Sequence, residues 1–364
     1  MIDRPAERRA AFRAMTAAPP SEIAALLAAG CVIPAHPLAL TAARRLDPVR
    51  LRALSRYYID AGAGGLAVGV HTTQFAIRDA GLYRPVLEQV AATARDWAKR
   101  PLALVAGISG GTEPALREAD LASGLGYHAG LVSLAALKGA SEDVLIEHCR
   151  ALARVIPLFG FYLQPAVGGR VLSAEFWRRF CELDGVLAIK IAPFNRYRTI
   201  DVVRGVVAAR AEQRVTLYTG NDDHILLDLL TPYRVRRGDD TITVRIKGGL
   251  LGHWSFWTAK AVELHARAQR AAAAASLPED LLSLDAAITD ANGAVFDVAN
   301  DFHGCIAGCH EVLRRQGLLE GIWCLDPAEG LGPGQLAEIE RVQRAYPELN
   351  DDAFVRANLA RWLA

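Results

Sequence analysis

The run Val186-Leu187-Ala188-Ile189-Lys190-Ile191 is short and, apart from its lysine, apolar, and it lies between loops that contain Gly or Pro. Such a run is typical of a strand buried on both faces of a parallel sheet. The pattern recurs along the chain, and a longer amphipathic stretch follows each run, which is the alternation of a βα repeat. The other predicted strands are Cys31–Pro34, Gly65–Val70, Leu102–Ala106, Gly130–Ser133, Leu158–Leu163, Val215–Tyr218 and Val244–Ile246.

Eight such strands with helices between them predict an α/β fold of the TIM (β/α)8 barrel type. A chain of 364 residues with 52% hydrophobic residues can bury the core of such a barrel. Helix starts are predicted where a side-chain oxygen can accept a free N–H of the first turn. These positions are Asp47-Pro48, Ser141, Ser173 and Thr199.

The segments on either side of the barrel lack strand patterns. We predict a helical extension for residues 1–30, the barrel for 31–270, and a helical C-terminal region for 271–364 that opens on the alanines Ala271 to Ala275. The polar stretch Arg234–Thr243, which contains Gly238, predicts a hairpin or loop inserted between the seventh and eighth strands.

The charge balance favours a small-molecule partner. Lys and Arg number 41 against 40 Asp and Glu, so nothing favours binding to nucleic acid or to an acidic membrane surface. No uninterrupted apolar stretch is long enough to cross a membrane, and the charged N-terminus lacks the apolar core of a signal peptide. The six cysteines are scattered, which is typical of reduced thiols, so we expect a cytoplasmic protein.

Lys190 is the first candidate for chemistry, because active sites of TIM barrels lie at the carboxyl ends of the strands. An amine between two isoleucines loses the hydration that favours its charged form, so its pKa should fall. A neutral amine can condense with a ketone to form an imine. The alternative is a strand-end lysine in an ion pair. Lys247 is a rival, but alternation puts it on the face of Arg245 and away from Ile246.

Four features resemble the dihydrodipicolinate synthase / N-acetylneuraminate lyase family, over about Cys31 to Lys260. Spacing strengthens the resemblance, since Tyr162 precedes Lys190 by 28 residues and Thr73 precedes Tyr162 by 89. The features are the Lys190 strand with its polar loop, Tyr162-Leu163-Gln164-Pro165, Thr72-Thr73 after the second strand, and Gly248-Gly249-Leu250-Leu251-Gly252 after the eighth.

The resemblance implies a lyase, either an aldolase or a dehydratase, that forms a Schiff base with pyruvate or a related 2-oxo acid and uses no cofactor or metal. It implies that Lys190 forms the imine and that Tyr162 transfers protons beside it. Family members are usually homo-oligomers, so a dimer or tetramer is expected. The predicted substrate-binding residues are Thr72 and Thr73, for the carboxylate, together with His71, Gly249 and His253.

The chain departs from the family where substrates are distinguished. The family's Gly-Thr-Thr-Gly-Glu is replaced by His71-Thr72-Thr73-Gln74-Phe75. The arginine that follows the tyrosine motif in the synthases has no counterpart in Ala166-Val167-Gly168-Gly169, and a relay tyrosine is matched by Leu134-Ala135-Ala136-Leu137. We therefore do not expect dihydrodipicolinate synthesis.

Two other functions remain open. A regulatory homologue could bind a 2-oxo acid without turnover, which the altered threonine motif favours. A divalent-metal lyase could draw its ligands from His36, His71, His253, Asp222, Asp223 and His224.

Two further groups of residues have an uncertain role. The aromatic stretch His253-Trp254-Ser255-Phe256-Trp257 could wall the pocket and suit a less polar acceptor, although packing is the simpler interpretation. His303, Cys305, Cys309 and His310 could hold zinc, but buried thiols between helices are favoured.

Overall fold

The computed structural model describes residues 18–364. A sheet of eight parallel strands lies at the centre of this part of the chain. A bridge between Ala35 and Ala67 joins its two edges, so the sheet closes into a barrel. The predicted TIM barrel is confirmed. The strands are β1 (Val32–Pro34), β2 (Gly65–Val68), β3 (Ala103–Ile108), β4 (Ala129–Val132), β5 (Leu158–Leu163), β6 (Val186–Ala192), β7 (Thr216–Thr219) and β10 (Ile246–Leu251), with β8 (Tyr233–Arg237) and β9 (Asp240–Val244) outside the barrel. The hydrogen-bonded order of the barrel strands is β1-β10-β7-β6-β5-β4-β3-β2.

Helices surround the barrel and form the C-terminal region. Those that alternate with the strands are α1 (Ser21–Ala29), α2 (Pro48–Asp60), α3 (Tyr83–Trp97), α4 (Thr112–Gly124), α5 (Glu142–Ala153), α6 (Ala174–Cys181), α7 (Arg196–Ala208), α8 (Ile225–Leu230) and α9 (Thr258–Ala272). The C-terminal helices are α10 (Asp280–Val295), α11 (Cys305–Arg315), α12 (Gln335–Ala345) and α13 (Asp352–Leu363).

The predicted insertion before the last barrel strand is an antiparallel hairpin of β8 and β9, turning at Gly238 with φ 61°. The predicted bounds of the eighth barrel strand were wrong, because Val244 ends β9 and the barrel strand runs from Ile246 to Leu251. Gly248 and Gly249 therefore lie within a strand. A Cβ on Gly248 would stand 2.6 Å from the Cys31 backbone, so close packing explains this glycine.

Three of the four predicted helix caps are confirmed. Asp47 accepts the N–H groups of Val49 and Arg50, and Ser141 and Ser173 each accept an N–H three residues on. Thr199 is not a cap, because Asn195 precedes it and accepts the Arg198 N–H at 3.3 Å. Thr199 lies inside α7 instead.

Alternation along the strands divides the barrel core into two layers. Inward side chains such as Phe159, Ala188 and Leu250 fill the barrel interior. Outward side chains such as Tyr162, Ile189 and Ile191 belong to the layer between strands and helices. The face on which a strand residue lies therefore decides whether it can reach the site.

Helix α1 closes the end of the barrel where the strands begin. Ile23 and Leu27 pack among the interior side chains, and the Tyr218 hydroxyl donates to the Leu27 carbonyl at 2.8 Å. The amine of Lys247 donates to the Ala28 carbonyl at the same end, at 3.1 Å, so this rival lysine lies away from the strands' carboxyl ends. Residues 1–17 of the predicted N-terminal extension lie outside the described residues.

The chain beyond Leu251 contains only helices and loops within the described residues, as predicted. The last helix, α13, returns to the barrel and packs on α2. Trp362 is fully buried there, and its indole N–H donates to Asp60 at 2.6 Å. None of the described helices combines the length and apolar character that a membrane span needs.

Candidate active site

A cavity opens at the carboxyl ends of the barrel strands, where the fold places active sites. It encloses about 670 Å³, part of it open to solvent. Its polar lining comes from the ends of β2, β5, β6 and β7 and from the C-terminal region. These lining residues are His71, Thr72, Gln164, Lys190, Asp222 and Cys305.

Lys190 projects into the cavity from β6. Its side chain is 9% exposed, and its Nζ lies 4.6 Å from the centre of the Phe161 ring. Burial lowers the pKa of Lys190 to about 8, although the nearby Asp222 carboxylate acts in the opposite direction. A neutral amine is thus accessible near neutral pH, as the strand sequence predicted.

Gly220 makes room for this lysine. A Cβ on Gly220 would stand 2.5 Å from the Cε of Lys190 and 2.8 Å from the Cβ of Ala192. Any side chain at position 220 would therefore displace the amine, and the glycine after β7 is required by the close approach of β6.

Asp222 is the only carboxyl group that lines the cavity among the described residues. Its Oδ1 accepts the His253 backbone N–H at 3.0 Å. Burial raises the pKa of Asp222 to about 7, while the His253 N–H and the charge of Lys190 oppose that rise. Both groups line the same cavity, and no salt bridge joins them.

One face of α10 holds the turn that carries Asp222. Asn292 donates to the Asp222 carbonyl, and the Thr289 hydroxyl donates to the Asp223 carbonyl at 3.1 Å. Asp285 accepts the N–H groups at the start of α8, at 2.8 and 3.1 Å. These three residues follow helical spacing, so the C-terminal region positions the carboxyl group.

The two threonines of the pair have different surroundings: Thr72 lines the cavity, whereas Thr73 bonds the surrounding backbone. His71 and Thr72 line the cavity, and the Thr72 hydroxyl donates to the Ala35 carbonyl at 2.7 Å. Thr73 lies beneath them, where its hydroxyl donates to the His36 carbonyl at 2.7 Å and accepts the Gly69 N–H at 3.0 Å. Burial and the proximity of Lys190 lower the pKa of His71 to about 4, so its ring is neutral.

Gln74 occupies the position at which the resemblance described above leads us to expect a glycine. Its φ of 66° lies in the left-handed region that favours glycine. Here the side chain is buried, and its Oε1 accepts the Leu325 N–H from the C-terminal region at 2.7 Å. This contact joins the β2 turn to the appendage.

Tyr162 does not reach the cavity, so the proton-transfer role predicted for it needs correction. Its hydroxyl bonds the carbonyl and N–H of Leu172, at 3.2 and 3.1 Å, and its ring packs on Trp177. The register between β5 and β6 shifts after Leu158, so that Phe161 rather than Tyr162 lies opposite Lys190. Tyr162 therefore faces the outer layer.

Gly249 and the His253 ring also lie outside the cavity lining, which corrects two more predicted contacts. A Cβ on Gly249 would meet the Trp254 ring at 2.6 Å. The His253 ring packs on Phe256 and Trp257, with centres 4.9 and 6.0 Å away, and burial lowers the pKa of His253 to about 4. The aromatic stretch at 253–257 is thus core packing, which was the simpler of the two interpretations of its sequence.

The candidate metal ligands do not converge. Within residues 18–364, no three His, Cys, Asp or Glu side chains are arranged to hold a metal ion. His36 is buried, with its ring nitrogens bonded to the Pro37 carbonyl and the Ser55 hydroxyl at 2.8 and 2.9 Å. Cys309 and His310 are buried in α11.

Three lining residues come from the C-terminal region and were not predicted to line the site, namely Phe296, Phe302 and Cys305. The sequence pointed to Cys305 only as part of a His/Cys cluster. Burial raises the pKa of its thiol, so it stays protonated. Two aromatic residues, Phe296 and Phe302, in a region without strands were the available sign of a role at the site. Nothing in the sequence indicates that this region returns to the mouth of the barrel.

The Dihydrodipicolinate synthetase family is the family whose model matches the chain, over residues 29–232. The search of curated proteins found no match to this chain. Among solved structures, dihydrodipicolinate synthase from Bacteroides thetaiotaomicron is 17% identical with a TM-score of 0.70, covering 87% of this chain and 98% of its own.

Two further structures are similar at comparable identity. The protein CdNal from Clostridium difficile, solved with mannosamine, is 14% identical, with a TM-score of 0.70 and coverage of 87% and 99%. The chloride-inhibited dihydrodipicolinate synthase from Acinetobacter baumannii, solved with pyruvate, is 17% identical, with a TM-score of 0.68 and coverage of 86% and 97%. At these identities the likeness concerns the fold.

Proposed function

This chain belongs to the dihydrodipicolinate synthetase family, and we propose that it is a Schiff-base-forming lyase, an aldolase or a dehydratase, acting on pyruvate or a related 2-oxo acid. The observation that carries the proposal is Lys190, a buried amine with a lowered pKa that faces Asp222 across a cavity at the carboxyl ends of the strands. The pyruvate complex of the Acinetobacter synthase supports the choice of 2-oxo acid.

The proposed reaction begins with attack of the neutral Lys190 amine on the ketone carbon. The carbinolamine hydroxyl leaves as water after taking a proton, and the C–N bond becomes an iminium. Asp222 is the acid that supplies this proton, and its carboxylate then removes a proton from the carbon next to the iminium. The resulting enamine adds to an aldehyde or expels a neighbouring hydroxyl as water, and hydrolysis releases Lys190.

Binding of the 2-oxo acid carboxylate is assigned to the β2 turn. Thr72 and His71 face the cavity there, whereas the Thr73 hydroxyl is occupied by framework bonds. We propose that Thr73 supports this turn and that Thr72 contacts the substrate. The iminium charge on Lys190 then lies beside the carboxylate, which favours ion pairing in a partly desolvated site.

The test is reductive trapping. Incubation with pyruvate and sodium borohydride should add a reduced pyruvyl group to a peptide containing Lys190, detected by mass spectrometry. Lys190→Arg should abolish the adduct. Lys247→Arg, which changes the lysine at the opposite end of the barrel, should retain it.

The absence of an adduct from a panel of 2-oxo acids would refute the imine mechanism. An adduct that forms without turnover of any candidate substrate would favour the binding homologue. Turnover that a chelator abolishes and zinc or manganese restores would favour the metal-dependent lyase.

A further inference from the structure

The cavity mouth is lined by apolar side chains that remain partly exposed. Leu163, Val167, Phe194 and Phe302 are each half-buried, and Phe296 lies beneath them. The rings of Phe194 and Phe302 meet edge to face, with centres 6.0 Å apart. Partly exposed apolar groups gathered in one concave place are typical of a binding surface for an apolar ligand.

The loop that presents Phe302 is held in a strained conformation. Phe302 has a φ of 66°, which a bulky side chain adopts only when its surroundings impose it. Asp297 and Asp301, with φ values of 57° and 53°, lie in the left-handed region that aspartate enters more readily. Asp297 accepts the N–H of Gly304 at 2.9 Å, and Gln335 bonds three backbone groups around the same loop. Both of these polar side chains are 2% exposed. Strain held by a buried network favours a defined position for Phe302.

Cationic groups are scarce at this mouth. Lys190 is the only cation among the lining side chains that the structure describes. Arg196, two residues after Phe194, pairs with Asp223 and Asp228 at 3.4 and 3.3 Å. Arg170 donates to the carbonyls of Leu137 and Ala140. A second anionic group on a substrate would therefore lose hydration without gaining a counter-charge.

We infer that the substrate carries, beyond its 2-oxo acid end, an uncharged apolar group such as an aryl or branched alkyl chain, which packs against Phe194, Phe296 and Phe302. Phe302 is the specificity-determining residue, because the strained loop delivers it from outside the barrel. This inference rests on the proposed function, since Lys190 anchors the 2-oxo acid end.

The experiment compares two 2-oxo acids in the borohydride trap, with pyruvate as reference. The concentration that gives half-maximal adduct at Lys190 is measured for 2-oxo-4-phenylbutanoate and for 2-oxoglutarate. For the wild type, this half-maximal concentration should be at least about tenfold lower for 2-oxo-4-phenylbutanoate than for 2-oxoglutarate. Phe302→Arg should reverse or abolish this preference, and Phe302→Leu, which keeps an apolar surface, should preserve it.

Val298→Arg is the matched control, because it adds the same charge to the same loop at a side chain that is 48% exposed. This variant should keep the wild-type preference. Equal or better trapping of 2-oxoglutarate by the wild type, with pyruvate still forming its adduct, would overturn the inference and leave the proposed function standing. If no 2-oxo acid forms an adduct at Lys190, the proposed function itself fails.

Discussion

Lys190 and Asp222 influence each other's charge across the cavity. The amine is reactive when neutral, above a pKa of about 8, and the carboxyl group can donate a proton below a pKa of about 7. The rate of trapping with pyruvate should therefore follow a bell-shaped pH profile with its maximum between these values.

Asp222→Asn should lower that rate by roughly 10²- to 10⁴-fold, because a general acid and base is lost. The carboxylate favours the ammonium form of Lys190, so its removal should move the amine's ionisation to lower pH. Trapping rates measured from pH 5 to 10 test both effects. Asp223→Asn is the control for the rate, since this exposed neighbour pairs with Arg196 and does not line the cavity. It should keep the wild-type rate and only move the ionisation of Asp222 to lower pH, because the charge of Asp223 raises the pKa of Asp222. An unchanged profile for Asp222→Asn would contradict its role.

For Tyr162 we expect the opposite of the result for Asp222, namely little change in the trapping rate. Among the described residues its hydroxyl hydrogen-bonds only the backbone of Leu172, so Tyr162→Phe should leave the trapping rate within about twofold of wild type. The lost hydrogen bonds should lower the free energy of unfolding by about 1–3 kcal/mol, measured by urea denaturation. A loss of trapping comparable to that of Asp222→Asn would place the tyrosine back in the site.

At the scale of elements, a shift of one residue in the pairing of β5 and β6 changes whether Tyr162 lies beside Lys190. Leu158 pairs with Val186, but Phe159 pairs with Ala188, so one extra residue in β6 changes the offset from 28 to 29. Without that bulge, Tyr162 would lie opposite Lys190. The apolar run 186–191 predicted the strand and the lysine, but a bulge has no signature in such a run, because every residue in it is compatible with either face.

Helix α10 is the element that positions Asp222. Asn292→Leu removes the donor to the Asp222 carbonyl, so the limiting trapping rate should fall by roughly one to two orders of magnitude. The half-saturating pyruvate concentration should change less, because Asn292 is not among the cavity-lining residues. The measurement is the pyruvate dependence of trapping for this variant.

Ser283→Ala on an exposed face of α10 controls for general effects on this helix and should behave as the wild type. Equal changes in the limiting rate and in the half-saturating concentration, or a rate that does not change, would contradict a positioning role.

The last helix, α13, joins the C-terminal region to the barrel by packing on α2. Trp362 packs against Tyr57 and Phe354, with ring centres 5.4 and 5.5 Å away. Trp362→Ala should lower the free energy of unfolding by about 3–5 kcal/mol, measured by urea denaturation. Leu282→Ala, at a side chain that is 48% exposed, should change it by less than about 0.5 kcal/mol. If Trp362→Ala lowered the free energy of unfolding as little as Leu282→Ala, α13 would contribute little to stability.

The amino-acid sequence by itself determined the barrel, the insertion before its last strand and the nucleophile candidate, because strand periodicity and a lysine among isoleucines are local properties. Only the tertiary structure decided which residues share the cavity with Lys190. It removed Tyr162 and Gly249 from the cavity lining and joined Asp222, Phe302 and Cys305 to Lys190. The physical reason is that the face of a strand residue depends on pairing register, and the C-terminal contribution depends on contacts between residues that are far apart in the sequence.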